Sequence, residues 1–179
     1  MTSQLAQDPT SGVTPLVTNQ DLDPQRLREA FGVFPSGVVA VAAEIDGRKV
    51  GLAASSFSSV SLDPPLVQFS VATTSKTWPD LRSADHLGLT VLADHHGGLC
   101  RQLAGDVASR FDDIAVSATP AGALFIDEGL AKFDCTVYRE VEAGDHTLVL
   151  LELHAVEQAA DVSLPLVFHR SAFAGVAAG

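Results

Sequence analysis

The stretch from Val50 to Ala72 is rich in small hydroxylated side chains placed between two apolar, strand-like ends. Its five serines are Ser55, Ser56, Ser58, Ser59 and Ser61. Small residues beside a buried strand leave room for a flat ligand, and serine hydroxyls can hydrogen-bond the edge of such a ligand. Strand pairs that simply meet water have the same composition, so this stretch alone leaves both interpretations open.

A second group of polar residues follows directly after the next apolar strand. Residues 73–79 read Thr-Thr-Ser-Lys-Thr-Trp-Pro, and Thr77 is placed to cap a short helix that begins before Pro79. Free backbone N–H groups at a helix start, together with Lys76, suit an anion and above all a phosphate. The Gly-x-x-x-x-Gly-Lys spacing of a P-loop is absent. Because many capped helices bind nothing, a purely structural role for this segment also stays open.

The histidines do not predict a metal site. His95 and His96 are adjacent, and adjacent side chains on a helix point in different directions, so we expect no shared metal. His146 follows a Gly144–Asp145 turn. It is either a titratable hydrogen-bonding group of a site or a turn residue held by Asp145 or the backbone.

The composition bounds the class of protein. The chain has 179 residues, 46% of them apolar, and a formal net charge of −11. Such an acidic chain repels phosphate backbones and anionic membranes, so we expect neither a nucleic-acid nor a membrane partner. No apolar run approaches the roughly 20 residues of a spanning helix, and the N-terminus has no signal-peptide pattern. Cys100 and Cys135 form no Cys-x-x-Cys pair, and a reduced, cytoplasmic protein with an inert Cys135 is expected.

The positions of prolines and apolar residues predict one domain. Residues 1–20 are polar and form an N-terminal arm or tail, and residues 21–179 form the domain. A helix begins at Asp23-Pro24 and ends at Pro35. Its apolar face is formed by Leu27, Ala30, Phe31 and Phe34.

The remaining patterns predict strands, a further helix and loops. Strands are expected at 38–45, 48–54, 66–71, 86–92, 130–141, 147–156 and 164–169, the first two joined by an Asp46-Gly47 hairpin. The apolar run at 147–156 predicts a strand that is buried on both faces. Residues 97–103 are expected to form a helix, and 118–129 a loop. Strands joined mostly by hairpins indicate an antiparallel barrel. Neither a Gly-x-Gly-x-x-Gly turn nor a Gly-x-Ser-x-Gly elbow is present.

Several of these segments together resemble the flavin reductase-like domain family. The matching pieces occur in the family's order and spacing over roughly residues 24 to 173. They are LREAFGVFPSGVV (27–39), GLAASSFSSVSLDPPLVQFSV (51–71), KTWPDLRSADHLGLTVLADHH (76–96), Arg110-Phe111, KFDCTV (132–137), Gly144-Asp145-His146-Thr147 and PLVFHR (165–170).

The resemblance implies a fold and an activity. The fold is mainly β: an antiparallel split β-barrel of the Greek-key, FMN-binding type with a few short helices, forming a homodimer. FMN or FAD binds near the subunit interface, and NADH or NADPH donates hydride. Members are commonly reductase components that pass reduced flavin to a separate flavin-dependent monooxygenase.

The resemblance also implies site residues. His146 would act in catalysis near the nicotinamide, and Phe168, His169 and Arg170 would flank the nicotinamide nucleotide. The flavin ring would lie along Pro35, Ser36, Gly37 and Val38. The ring and its ribityl chain would be lined by Ala53, Ala54, Ser55 and Ser56, and Val60 and Ser61 would supply backbone contacts. Lys76 and Thr77 would lie near the flavin phosphate, and Arg110 and Phe111 near the cofactor.

The sequence departs from the family pattern at two places. Members often have Thr-Ala-Asn-Ser-Phe where this chain has residues 53–57, Ala-Ala-Ser-Ser-Phe. Thr90, counted among the cofactor-binding positions, stands where many members have Asn. These changes remove hydrogen-bonding groups and bear on which flavin binds and how tightly.

Two alternatives belong to other classes of protein. The first is a flavin-binding electron-transfer or accessory protein without reductase turnover. The second is a barrel that binds a small apolar ligand and no flavin.

Overall fold

The computed structural model describes residues 22–160 and 164–176. The arm predicted at 1–20 lies outside the described residues. The first element, α1 (Pro24–Phe31), begins as the sequence predicts, because the Asp23 carboxylate accepts hydrogen bonds from the N–H groups of Gln25 (2.9 Å) and Arg26 (3.0 Å). The helix has no buried residue in this chain, and Phe31 is 70% exposed.

The described residues form twelve strands and two further α-helices. The strands are β1 (Ser36–Gly37), β2 (Val39–Ile45), β3 (Arg48–Ala54), β4 (Ser58–Leu62), β5 (Pro65–Ala72), β6 (Leu87–Val91), β7 (Val116–Ala118), β8 (Leu124–Ile126), β9 (Ala131–Ala143), β10 (His146–Gln158), β11 (Val167–His169) and β12 (Ala172–Ala174). The helices are α2 (Trp78–Leu81) and α3 (Gly97–Leu103). None of the helices in the described part is long and apolar enough to cross a membrane.

Seven strands form one antiparallel sheet in the order β3-β2-β6-β9-β10-β5-β4. The β2–β3 hairpin turns at Asp46 (φ 51°) and Gly47 (φ 72°), as the Asp-Gly pair predicts. A flat sheet would hold β3 and β5 about 24 Å apart, since five strand spacings separate them. Their Cα atoms nevertheless approach within 8 Å. The sheet therefore curls into a barrel, and among the described strands no backbone pairing bridges β3 and β5. This agrees with the predicted mainly β fold with few helices.

The curled sheet separates two apolar clusters. Alternate residues of β2 enter different clusters, because side chains of a strand alternate between its faces. Val39 and Val41 enter the barrel core with Phe69 and Leu151. Ala40, and Val38 just before β2, point to the other face, and there they pack with further residues that include Leu92, Leu103 and Leu166. Helix α3 therefore lies against the outside of the barrel, next to β3.

The structure differs from the sequence prediction in the segment 118–129. Instead of forming a loop, this segment contributes β8, which pairs with β7 and is fully buried. Strand β8 approaches β6 so closely that a Cβ on Gly88 would lie 2.1 Å from the carbonyl oxygen of Leu124. Strands β1, β4, β7 and β12 are also additional to the prediction.

The expectation that 147–156 is buried on both faces was wrong. Val149 and Leu151 are fully buried, but Val156 is 68% exposed. The reason lies in the strand pairing, because β5 accompanies β10 only as far as Glu152. Beyond that residue β10 keeps β9 as its partner and has no neighbour on its other edge within the described sheet.

Candidate functional site

A cleft runs between β3 and the C-terminal end of α3. It consists of two adjoining cavities of about 600 Å³ each, which share Ala53, Ala54, Ser55 and Ala104. The small side chains of residues 53–55 leave this space open where larger residues would fill it. The sequence predicted residues 53–56 for this wall, and the structure brings all four to the cleft.

The first cavity is mainly apolar. Its walls include Val38, Phe168 and Phe173, and the rings of the two phenylalanines meet edge to face with centroids 5.6 Å apart. Strand β1 supports this wall, because Ser36 pairs with Phe168 and Gly37 with Val167 on β11. The arrangement suits one face of a flat, apolar ring system.

The second cavity is polar and lies toward the loop after β5. Its lining includes Thr74, Ser75, Lys76 and Thr77. The Ser56 hydroxyl is held by β5, since it accepts from the Ser70 N–H (2.8 Å) and donates to the Ser70 carbonyl (3.2 Å). Lys76 is exposed and forms no ion pair with a described carboxylate, so its ammonium is available to a ligand.

Arg110 joins this loop to the rest of the site. Its Nη1 donates to Thr77 Oγ1 (2.7 Å) and to the Gly51 carbonyl (2.9 Å), and its Nε donates to the Gly105 carbonyl (3.2 Å). Phe111 packs over Gly51, where a Cβ would lie 2.6 Å from the ring's Cζ. The Arg-Phe pair therefore fixes the shape of this end of the cleft.

The helix start predicted at Thr77 forms, but it does not work as the sequence suggested. Helix α2 has four residues, and the Thr77 hydroxyl makes no capping hydrogen bond. Thr77 instead accepts from Arg110, and the Trp78 N–H is bonded to the Ser75 hydroxyl (3.2 Å). Attraction of an anion at this place therefore depends on Lys76 rather than on a capped helix terminus.

His146 lies at the edge of the polar cavity, at the start of β10. Its Nδ1 is 2.8 Å from Asp145 Oδ1. An ionised carboxylate can only accept, so Nδ1 donates and Nε2 is left for another partner. The hydrogen bond and the charge of His146 lower the pKa of the Asp145 carboxyl below its usual value. The sequence left two roles open for His146, a residue of the site and a turn residue held by Asp145. The structure is compatible with both, since His146 is bonded to Asp145 and also lines the cleft.

Other residues predicted for the site lie elsewhere. Thr90 is fully buried on β6, where its hydroxyl accepts from the Ile126 N–H (3.1 Å), and it does not line the cleft. Val60 lies at a bulge of β4 and is 46% exposed, and the hydroxyl of neighbouring Ser61 accepts from the Asp63 N–H. Five further predicted residues line neither cavity, namely Pro35, Ser36, Gly37, Phe111 and His169. Arg170 lines a separate recess beside α1.

Sequence reasoning missed the α3 side of the cleft. Cys100, Arg101, Ala104 and Val107 line it, together with Phe173 of β12. Burial raises the pKa of the Cys100 thiol, and it raises that of fully buried Cys135 to about 12, so both are weak nucleophiles. Within the described ranges no three histidine, cysteine or acidic side chains are grouped to hold a metal ion. No local motif marks these residues, because only tertiary packing brings them to the cleft.

The fold and the cleft match a known family. The sequence model of the Flavin reductase like domain matches residues 31–177. The chain therefore belongs to the flavin reductase-like domain family.

Individual relatives support this assignment. The chain is 34% identical to a flavin reductase from Pseudomonas putida, over 90% of this chain and 95% of that protein. It is 29% identical to the reductase subunit HsaB of a flavin-dependent monooxygenase from Rhodococcus jostii, over 89% and 82% of the two chains. The chain spans 56% and 46% of two longer relatives from Rhizobium meliloti.

A solved structure shows the same architecture. The NADH:FAD oxidoreductase SgcE6 of Streptomyces globisporus C-1027 superimposes with a TM-score of 0.83, at 28% identity, over 92% of this chain and 98% of that one.

The residues of the cleft fit a flavin. A flat ring needs apolar walls, and Val38, Ala53 and Phe168 provide them. A ribityl chain and a phosphate need hydroxyl groups and a cation, and the adjoining cavity has Thr74, Ser75 and Lys76. The apolar cavity and the adjoining cavity with hydroxyl groups and a cation therefore match the two chemically different parts of a flavin, its ring and its ribityl phosphate.

Proposed function

We propose that this chain is an NAD(P)H:flavin oxidoreductase that transfers hydride from NADH or NADPH to FMN or FAD. The observation that carries the proposal is the continuous cleft, apolar at Phe168 and cationic at Lys76, with Ala53 to Ser55 shared by both parts. Bound flavin would supply the hydride acceptor. The protein's own residues have to hold two rings face to face and keep water out, and no catalytic triad is needed.

His146 is the titratable residue that we assign to the reaction. Asp145 fixes the orientation of its ring through Nδ1, which leaves Nε2 for a ligand. When the ring is protonated, Nε2 donates and can orient the nicotinamide amide or compensate negative charge that develops in the cleft. Its side chain is 46% exposed, so a substrate can reach it.

We further propose that the chain is a cytoplasmic homodimer that supplies reduced flavin to a separate monooxygenase. The partner is supported by the similarity to HsaB, a reductase subunit. The dimer is supported by apolar side chains without cover in the described chain, with Phe34 78% and Leu62 96% exposed. The cytoplasm is supported by the buried thiols of Cys100 and Cys135, which are free.

A direct assay of nicotinamide nucleotide oxidation tests the function. Oxidation of NADH and of NADPH is followed with no flavin, with FMN and with FAD. The proposal predicts oxidation of at least one nucleotide that depends on added flavin. A preparation that binds flavin without turnover would instead identify an electron carrier, and a protein that binds no flavin would identify a barrel for a different ligand.

A further inference from the structure

The cleft does not end at Lys76 and Thr77. A third cavity of about 460 Å³ continues from these two residues and from Val107, which it shares with the polar part of the cleft. It lies between the β2–β3 hairpin, the start of α2 and the segment 107–112. The proposed hydride transfer has no use for this extension.

The third cavity is unusually rich in cations for this chain. The sequence has 11 lysines and arginines against 22 acidic residues, yet Arg48, Lys49 and Lys76 all line this one space. None of the three forms an ion pair with a described carboxylate. Asp80 and Asp112 also line the cavity, so cations outnumber carboxylates there. In a protein with a net charge of −11, such a place attracts anions selectively.

Apolar side chains complete the lining. Val50, Ala108 and Phe111 face the same cavity as the cations. The Phe111 ring lies close to Gly51, which leaves it room because it has no Cβ. An aromatic side chain beside cationic groups suits a ligand that combines a phosphate with a flat base, because the base can stack while the cations bind the phosphate.

We propose that the third cavity binds the adenosine diphosphate half of FAD, so that the chain uses FAD in preference to FMN. This inference rests on the proposed function, which places the flavin phosphate at Lys76. FMN ends at that phosphate, whereas FAD continues through a second phosphate to adenosine. The cavity continues from the same residue toward Arg48 and Lys49. Nicotinamide nucleotides carry the same adenosine diphosphate chemistry, and the experiment separates the two sources.

Binding of FAD and of FMN is measured by titration calorimetry for the natural protein and for the variants R48Q, K49Q and R48Q/K49Q. We expect FAD to bind at least about tenfold more tightly than FMN to the natural protein. Each single change should raise the Kd for FAD about fivefold and the double change about tenfold or more, with the Kd for FMN unchanged. R26Q is the matched control, because it removes one charge from α1, and Arg26 lines neither the cleft nor the third cavity.

Several other outcomes would overturn the inference. One is an equal affinity of the natural protein for FMN and FAD. Another is a double variant R48Q/K49Q in which the Kd values for FMN and FAD rise equally, or in which neither Kd rises. A rise in the KM for NADH at saturating FMN, with FAD binding unchanged, would assign the cavity to the nicotinamide nucleotide. Selective FAD binding that is lost in the double variant, without any NAD(P)H oxidation, would support the cavity assignment and contradict the reductase function.

Discussion

The Arg110 guanidinium donates a hydrogen bond to the hydroxyl of buried Thr77 at 2.7 Å. The same Nη1 atom bonds the Gly51 carbonyl, so one side chain joins β3, the loop before α2 and the segment after α3. Three of the five N–H donors of the Arg110 guanidinium bond protein acceptors, so Arg110 shapes the phosphate end of the cleft. Lys76 is the exposed cation beside it.

We predict that Arg110→Lys weakens flavin binding by about tenfold, because a lysine cannot make the three hydrogen bonds that hold this end together. The free energy of unfolding should also fall by about 1–3 kcal/mol, since Thr77 is left unsatisfied. Flavin Kd and urea denaturation check the two effects. Arg82→Lys is the control, because Arg82 pairs with Glu140 and lines none of the described cavities. An unchanged flavin Kd in R110K would show that the hydrogen bond between Arg110 and Thr77 does not shape the site.

His146→Ala should lower the rate of hydride transfer by about tenfold or more and leave the flavin Kd within about twofold. The reason is that His146 orients the nicotinamide, whereas residues 53–55 and Lys76 hold the flavin. Asp145→Asn should give a smaller loss, because it keeps the imidazole and weakens only its orientation. Rapid-mixing kinetics and flavin titration separate the two effects. A collapse of flavin affinity with normal hydride transfer would show the assigned role to be wrong.

Gly88→Ala should destabilise the protein by about 3 kcal/mol or more, because the added methyl group meets the backbone of Leu124 at 2.1 Å. Gly98→Ala is the matched comparison. Gly98 lies in α3 with open space around its Cα, so the substitution should stabilise the protein by about 0.5–1 kcal/mol. Urea denaturation of both variants checks the prediction, and equal effects would contradict the close packing of β6 on β8.

The stability of the protein should depend on His96 at mildly acidic pH. Its Nδ1 accepts a hydrogen bond from the Ala93 N–H (3.1 Å), which requires a neutral ring, and burial lowers the pKa of His96 below its usual 6.5. The unfolded chain therefore binds a proton more readily, and this contribution to stability is complete above pH 6.5 and declines as the pH falls through the window below it.

His96→Asn should remove this part of the pH dependence, because the amide oxygen can accept the same bond without titrating. His95→Asn changes the neighbouring ring and serves as the control. The free energy of unfolding is measured from neutral pH downward for each protein. If H96N and the natural protein lose stability in parallel, His96 is not the titrating group.

Local sequence signals predicted the elements that form locally. The Asp46-Gly47 hairpin and the helix Gly97–Leu103 lie where predicted, because turn residues and helical periodicity act over a few positions. Short strands such as Leu124–Ile126 escaped prediction, because their burial comes from partners far along the chain.

In the site, too, the locally encoded part was predicted and the part that depends on tertiary packing was not. The small residues at 53–55 predicted one wall of the cleft, and the structure forms it from them. The opposite wall at Ala104 and Val107 depends on how α3 packs against the barrel, which no local pattern encodes. Thr90, included on resemblance alone, is held in the core by its bond to the Ile126 backbone.

Rapid anaerobic mixing of the flavin-loaded protein with NADH or NADPH tests the reductase assignment most directly. We predict that the visible absorbance of the oxidised flavin disappears much faster than for the same flavin free in solution, with one hydride equivalent consumed per flavin. If neither nucleotide reduces bound FMN or FAD faster than free flavin, the chain is not a flavin reductase.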